Sequence, residues 1–363
     1  MTIAASFSRF IVMKNLVKQS LMVIKRWQLK SRGCSNPVRT TLPQMEQDKQ
    51  TVSELIARLN DDLQRPDAVI ALGNFGREAE TVVPALIEVL KNEDVTLRIN
   101  AIESLCKIRD DKAIEPLINA LQDASAQVRA TAAFALGCFR FQAITAVEPL
   151  IMSLEDSDEW VRTKAVEALS YIRHPKATVH LATALHDNYP GVRAKAALAL
   201  PNIAEASFAV PLLIAALTDT DARVRAAVAD GLGMFGSDAL DSAPHLLNAL
   251  HSEDLYVQIN AAKALIKIGS HIGHSMNILM QMLEKEDAST RITTALNLGI
   301  IALHFQDKAY YLSVLELEQV IYHLETVSYL LKTNSDFDAA QFALVSINNA
   351  LSSLKKERKS RGN

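Results

Sequence analysis

Seven arginines recur at one register along this chain: Arg65, Arg98, Arg129, Arg162, Arg193, Arg225 and Arg291, with Gln258 in the place of one more. The intervals are 33, 31, 33, 31, 32, 33 and 33 residues. A guanidinium presents five donors in a planar fork that suits carboxylates, phosphates and backbone carbonyls. Such a ladder can bind a run of anions, or it can tie one structural unit to the next. Acids stand at fixed offsets before it. Asp94, Asp158, Asp221 and Asp254 lie four residues ahead, and Asp123, Asp156, Asp187 and Asp219 lie six ahead. That spacing favours internal bridges to the turns of the same or the next unit, and a structural role for the ladder.

A second set of residues has the chemistry of a binding surface. Phe134, Arg140, Phe141, Trp160, Tyr171, Arg173, His174, Tyr189 and Leu198 cluster in the middle of the chain. Aromatic and Arg side chains carry most of the energy at protein interfaces, so these are the candidate partner- or ligand-binding residues. Catalysis finds little support. The nine histidines form no HExxH or HxH arrangement, and no GxSxG, P-loop or GxGxxG occurs. The three cysteines, Cys34, Cys106 and Cys138, are widely spaced, so neither a metal site nor a disulfide framework is expected. Cys106 and, less firmly, Cys138 read as small buried packing residues; a pair of cofactor ligands is the weaker reading. No catalytic residue, metal or cofactor is assigned, and a reducing, cytoplasmic setting is expected.

The 363 residues are 49% hydrophobic and 22% charged, with only 6% aromatics and 12 glycines. An Ala/Leu-rich, Gly-poor chain leans all-helical. The formal net charge of −3 is unevenly spread. Residues 1–44 hold eight bases and no acid, leaving the remainder at −11. So acidic a body repels nucleic acid, and no uninterrupted apolar run reaches the ~18 residues of a membrane span. The basic, amphipathic segment 1–44 fits three descriptions: an organelle transit peptide, a segment lying on an anionic membrane surface, or codons upstream of a start at Met45.

The elements that position these residues come in pairs. Each unit opens with an apolar stretch carrying a proline (Pro84, Pro116, Pro149, Pro211, Pro244), which marks a helix start. A polar turn rich in Asp and Ser follows and caps a second helix. Counting from the arginine slot, positions −1, +3, +6, +7 and +10 of the second helix are apolar, one helical face. Position +8 holds Gly73, Cys106, Gly137, Ser170, Pro201, Gly233, Ile266 and Gly299, mostly small residues that let neighbouring helices approach. Position +5, which includes Phe134 and Leu198, is expected to face outward.

Asp158, Val161-Arg162, Ala165 and Ala168-Leu169, and again Asp219, Asp221, Val224-Arg225, Gly233 and Phe235, resemble the short HEAT-like repeat of the phycobilisome (bilin) lyase type. The likeness covers about residues 51–303. It implies an all-α, right-handed α-α superhelix, a HEAT-repeat solenoid of about eight two-helix repeats spanning 45–305. Solenoids of this kind grip proteins along a concave face lined by second helices. The expected function is therefore a non-catalytic scaffold or adaptor for a protein partner. The alternative that the resemblance implies is a phycobilin lyase or chaperone of the E/F type, handling a linear tetrapyrrole (bilin) on a phycobiliprotein. The HEAT-like deoxyhypusine hydroxylases hold iron through His-Glu dipeptides, and none of the histidines here precedes a Glu.

Beyond residue 305 the repeat pattern lapses. Tyr310 to Lys332 has helical periodicity, Ser335 to Asp338 has the form of a capping box for a helix through Leu354, and a basic tail expected to fray closes the chain. This region, 306–363, is expected to cap the end of the stack.

Overall fold

The computed structural model describes residues 51–74, 81–284, 288–308, 312, 314–333 and 338–361. All belong to the unit Lys49–Asn363. The expectations for residues 1–44, for the capping box at Ser335 and for Tyr310 lie outside the described residues. Those residues fold as an all-α repeat solenoid with no strand among them.

After α1 (Arg65–Leu72), first and second helices alternate. The pairs are α2 (Val82–Val89) with α3 (Val95–Ile108), α4 (Ile114–Ala120) with α5 (Ala126–Phe139), and α6 (Val147–Met152) with α7 (Glu159–Ile172). They continue as α8 (Thr178–Thr183) with α9 (Pro190–Ala199), α10 (Ala206–Ala216) with α11 (Ala222–Met234), and α12 (Ala243–Ala249) with α13 (Leu255–Ile268). α14 (Ile272–Leu283) and the longer α15 (Ala288–Lys308) follow, then α16 (Val314–Thr333) and α17 (Asp338–Arg361).

The short helices have little stability alone and depend on burying their apolar faces. In α7 the residues at −1, +3, +6, +7 and +10 are Val161, Ala165, Ala168, Leu169 and Ile172, and all five are buried. Second helices of successive units pack directly on one another. At the closest crossings a side chain has no room. A Cβ on Gly137 would lie 2.9 Å from the Ala168 Cα, and one on Gly233 would lie 2.9 Å from the Ala264 Cα. The small residue at +8 thus meets the +6 residue of the next unit. The apolar run Ala126–Glu155 is long enough by composition to cross a membrane, but it spans two repeat helices and 56% of its most apolar window is buried within the solenoid.

Two expectations are corrected. Pro211 stands inside α10 rather than at its start, since the helix begins five residues earlier at Ala206. Pro116 and Pro149, by contrast, fall in the first turn of α4 and α6. The C-terminal tail is helical through Arg361 instead of frayed. Arg361 bonds Glu357 one turn back (Nε–Oε1 2.7 Å) and donates to the Leu312 carbonyl. Arg358, Lys359 and Arg361 also place positive charge at the negative end of the helix dipole. α17 packs on α15 and α16.

Candidate functional site

The arginine slot opens each second helix, and the turn before it supplies two kinds of carboxylate with separate tasks. The Asp four residues ahead is an N-cap. Asp158 Oδ1 accepts from the Trp160 and Val161 amides, Asp254 Oδ1 from Tyr256 and Val257, Asp94 from Thr96 and Asp221 from Arg223. The Asp six ahead receives the arginine of the preceding unit in a two-point bond. Arg98 holds Asp123 at 2.8 and 2.9 Å, Arg129 holds Asp156 at 2.7 and 2.8 Å, Arg162 holds Asp187 at 2.7 and 2.9 Å, and Arg193 holds Asp219 at 2.7 and 2.8 Å. The third nitrogen of each arginine donates to carbonyls of its own turn, as Arg162 Nη1 does to Asp156 at 2.8 Å.

These eight side chains are only 12–16% exposed. The arginine bonds hold the Asp156 and Asp219 carboxyls below the usual range. At Asp123 and Asp187 burial pushes the other way, and the arginine and backbone donors outweigh it. The ladder stops at Arg225, because Ser252 stands where the next Asp would be; Arg225 keeps its bonds to the Asp219 and Thr220 carbonyls. At the other end Arg65 pairs with Asp62 of its own turn at 2.8 Å. Arg291 lies half-buried in α15. Four arginines are therefore committed to joining repeats.

Eight of the nine candidate binding residues separate into two groups. Trp160, Tyr189 and Phe134 belong to one, toward the start and middle of the second helices. Trp160 is 56% and Phe134 44% exposed although they come from neighbouring repeats, and both lie against the Lys164 ammonium, 4.7 Å and 5.5 Å from its nitrogen. Lys164 also bonds Glu167 at 2.8 Å, and Lys195 of the next helix bonds the same carboxylate at 2.7 Å. Tyr189 is exposed beside the start of α9. Tyr256, outside the nine, extends the band into a further repeat from the same slot as Trp160, where it too is exposed. Its −2 offset is the signal that finds it.

Arg140, Phe141, Tyr171, Arg173 and His174 form the second group at the far ends of α5 and α7. From Trp160 to Arg173 the axial distance is about 20 Å at 1.5 Å per residue, so the two groups do not converge. Phe141 is 77% exposed. His174 Nδ1 accepts from the Lys176 amide at 3.2 Å and so caps a short 3-10 turn. Arg173 and Arg109 adopt left-handed helical backbone (φ 60° and 56°), and Arg140 also has positive φ (55°) with ψ −133°. The equivalent slot later in the chain holds Gly236 and Gly269, also with positive φ.

Position +5 is not uniformly outward. Leu198 is half-buried, and Lys263 is 6% exposed and bonded to Asp230 at 2.9 Å. Cys106 and Cys138 are half-buried, and Cys106 packs against the hydrophobic core. Several shallow clefts lie beside the ladder, next to Arg65, Arg129, Arg162 and Arg225. One of about 380 Å³ is lined by Arg162, His180, His186 and Asp187 among others, and none of the nine candidates lines it.

A search of the curated proteins returns no match. Among solved structures, the chain is similar to the complex of CpcE and CpcF of phycocyanin lyase from Nostoc sp. PCC7120, at 22% identity over 75% of this chain and 94% of that one, with a TM-score of 0.38. It is also similar to YibA of Escherichia coli (20% identity, 89% and 100% coverage, TM-score 0.46) and to an engineered protein (23%, 60% and 96%, 0.34). The family profile described as HEAT repeats matches residues 50–124, 114–201 and 180–246, more than half of the chain. The regular ladder, the capped second helices and this match agree: the chain belongs to the HEAT-repeat family.

Proposed function

We propose that the chain is a non-catalytic scaffold or adaptor that binds a protein along the second helices of its middle repeats. The observation that supports this most directly is the pair Phe134 and Trp160. Two large aromatic side chains from adjacent repeats stand half-exposed against one lysine. Large apolar groups held in fixed, solvent-facing positions have the character of interface anchors. Tyr189 and Tyr256 carry the same edge across further repeats, so the surface is a band rather than a pocket. An extended band suits a protein or peptide more than a compact chromophore.

Four ladder arginines are occupied by carboxylates and carbonyls, which leaves them poor partners for the propionates of a bilin. The test is an affinity capture from the native host with residues 45–363, run beside a Trp160→Ala, Phe134→Ala double variant, with the eluate's absorbance recorded. A colourless protein retained by the wild type and lost by the variant supports the scaffold reading. A coloured phycobiliprotein would overturn it in favour of bilin handling, the activity named for the phycocyanin lyase complex.

A further inference from the structure

At three boundaries successive second helices meet through one pair of slots, +8 on one and +9 on the next. Asn202 Nδ2, at +9, donates to Ser170 Oγ, at +8 one repeat earlier, across 3.1 Å. A Cβ on Gly137 (+8) would lie 3.3 Å from Tyr171 Cδ2 (+9), and one on Gly233 (+8) would lie 3.5 Å from Lys267 Cδ (+9). Cys106 and Cys138 occupy this same pair of slots on α3 and α5. The two thiols lie close enough that each shifts the acidity of the other. Both are half-buried, which leaves room for a small reagent. The two cysteines thus stand at a repeat boundary in slots where three other boundaries place a hydroxyl and an amide, or a glycine and a long side chain.

We propose that Cys106 and Cys138 are a reversible dithiol–disulfide pair that cross-links two adjacent repeats, with a small-molecule disulfide of the glutathione class as its oxidant. Cys138 is the attacking thiol. The Cys106 thiol beside it, acting as donor, lowers it to about 7, aided by the positive charges of Arg109 and Arg140. The same proximity and burial push Cys106 up. A thiolate is the reactive form, so Cys138 opens the exchange at neutral pH.

The Cys138 thiolate attacks one sulfur of the small disulfide. The S–S bond of the reagent breaks and one small thiolate leaves. Cys106 then gives its proton to solvent and attacks the Cys138 sulfur, forming the Cys106–Cys138 bond and expelling the second small thiolate. Two electrons pass from the pair to the reagent, which ends as two thiols. Excess reduced glutathione reverses both steps.

The experiment uses the full chain with Cys34→Ser, so that a third thiol cannot reshuffle the products. It is equilibrated in mixtures of oxidised and reduced glutathione, quenched with acid, alkylated and mapped by peptide mass. The expected product is a cross-linked peptide pair joining Cys106 to Cys138, restored to free thiols by dithiothreitol. In Cys106→Ser the glutathione adduct on Cys138 accumulates, and in Cys106→Ala, which has no donor at 106, alkylation of Cys138 at pH 7 slows about threefold, because the loss of thiolate outweighs the gain in nucleophilicity. Separate glutathione adducts on both cysteines with no cross-link would overturn the proposal. So would oxidation of neither in a mixture that oxidises a free dithiol. Circular dichroism of each variant checks that the fold persists; if Cys106→Ser unfolds, the cross-link in the parent chain decides the matter.

Discussion

Arg162 and Asp187 stand 25 residues apart in sequence and meet in a two-point ion pair, Nε to Oδ2 at 2.7 Å and Nη2 to Oδ1 at 2.9 Å. The same carboxylate accepts the Tyr189 amide at 2.7 Å, so one aspartate shapes its own turn and anchors the repeat before it. Removing either partner leaves a largely desolvated charge. Arg162→Ala or Asp187→Ala is expected to cost about 2–4 kcal/mol, and Arg162→Lys less than half of that, since a lysine keeps the charge but loses the fork. Urea melts followed by circular dichroism read both. A negligible loss for Lys would mean that the two-point geometry is irrelevant, and a loss equal to that of Ala would mean that charge alone contributes nothing.

Ser252 interrupts the ladder and offers a gain. It stands where an Asp would face Arg225, and its hydroxyl accepts the Asp254 amide at 3.2 Å just as the ladder aspartates accept theirs. Among the described residues Arg225 has no carboxylate partner. Ser252→Asp should therefore add a rung and stabilise the chain by about 0.5–1.5 kcal/mol. The combination with Arg225→Ala should erase the gain; additivity of the two changes would count against a new pair.

Stability should fall with acid in two steps. Burial holds the His323 imidazole below its ordinary value, so the unfolded chain takes up that proton first. This contribution is complete above about pH 6.5 and disappears as pH drops through the lowered folded value. The ladder aspartates are lowered as well; their contribution is complete above about pH 4 and disappears as pH falls through their folded values. Chemical melts from pH 2 to 8 should show both declines. His323→Gln should remove the upper one alone, and a rise in stability between pH 7 and 5 would contradict the assignment.

Left-handed backbone is costly for arginine and nearly free for glycine. Arg173 sits at φ 60° and ψ 39°, closing α7. Arg173→Gly should raise stability by about 0.5–1 kcal/mol. If the side chain serves a partner, the same variant binds that partner less well while melting later. A variant that is less stable would show instead that Arg173 holds the fold through its 3.4 Å contact with Asn202.

Phe134→Ala and Trp160→Ala should each weaken the captured partner by at least tenfold, the loss typical of an interface anchor. Both side chains are about half exposed, so melting should shift by no more than about 1 kcal/mol. Calorimetric titration and thermal melts on the same preparations separate the two effects. Loss of stability without loss of affinity would mark them as packing residues.

The sequence by itself determined the repeat, its period, the core face of the second helices and the fold class. Each is a local matter: apolar spacing, a capping Asp and a small +8 residue act within one unit, and repetition makes them conspicuous. It also placed acids at both −4 and −6, but not their tasks. Those depend on the rotation between neighbouring units, which carries the −6 aspartate to the preceding repeat's arginine and leaves the −4 aspartate to cap its own helix. Likewise, eight of the nine candidate residues, drawn from one stretch of the sequence, fall at two ends of helices about 20 Å long. Cys106 and Cys138 looked unrelated at a separation of 32 residues. Only the stacking of one helix on the next, set by close packing at the glycine and alanine crossings, brings them close together.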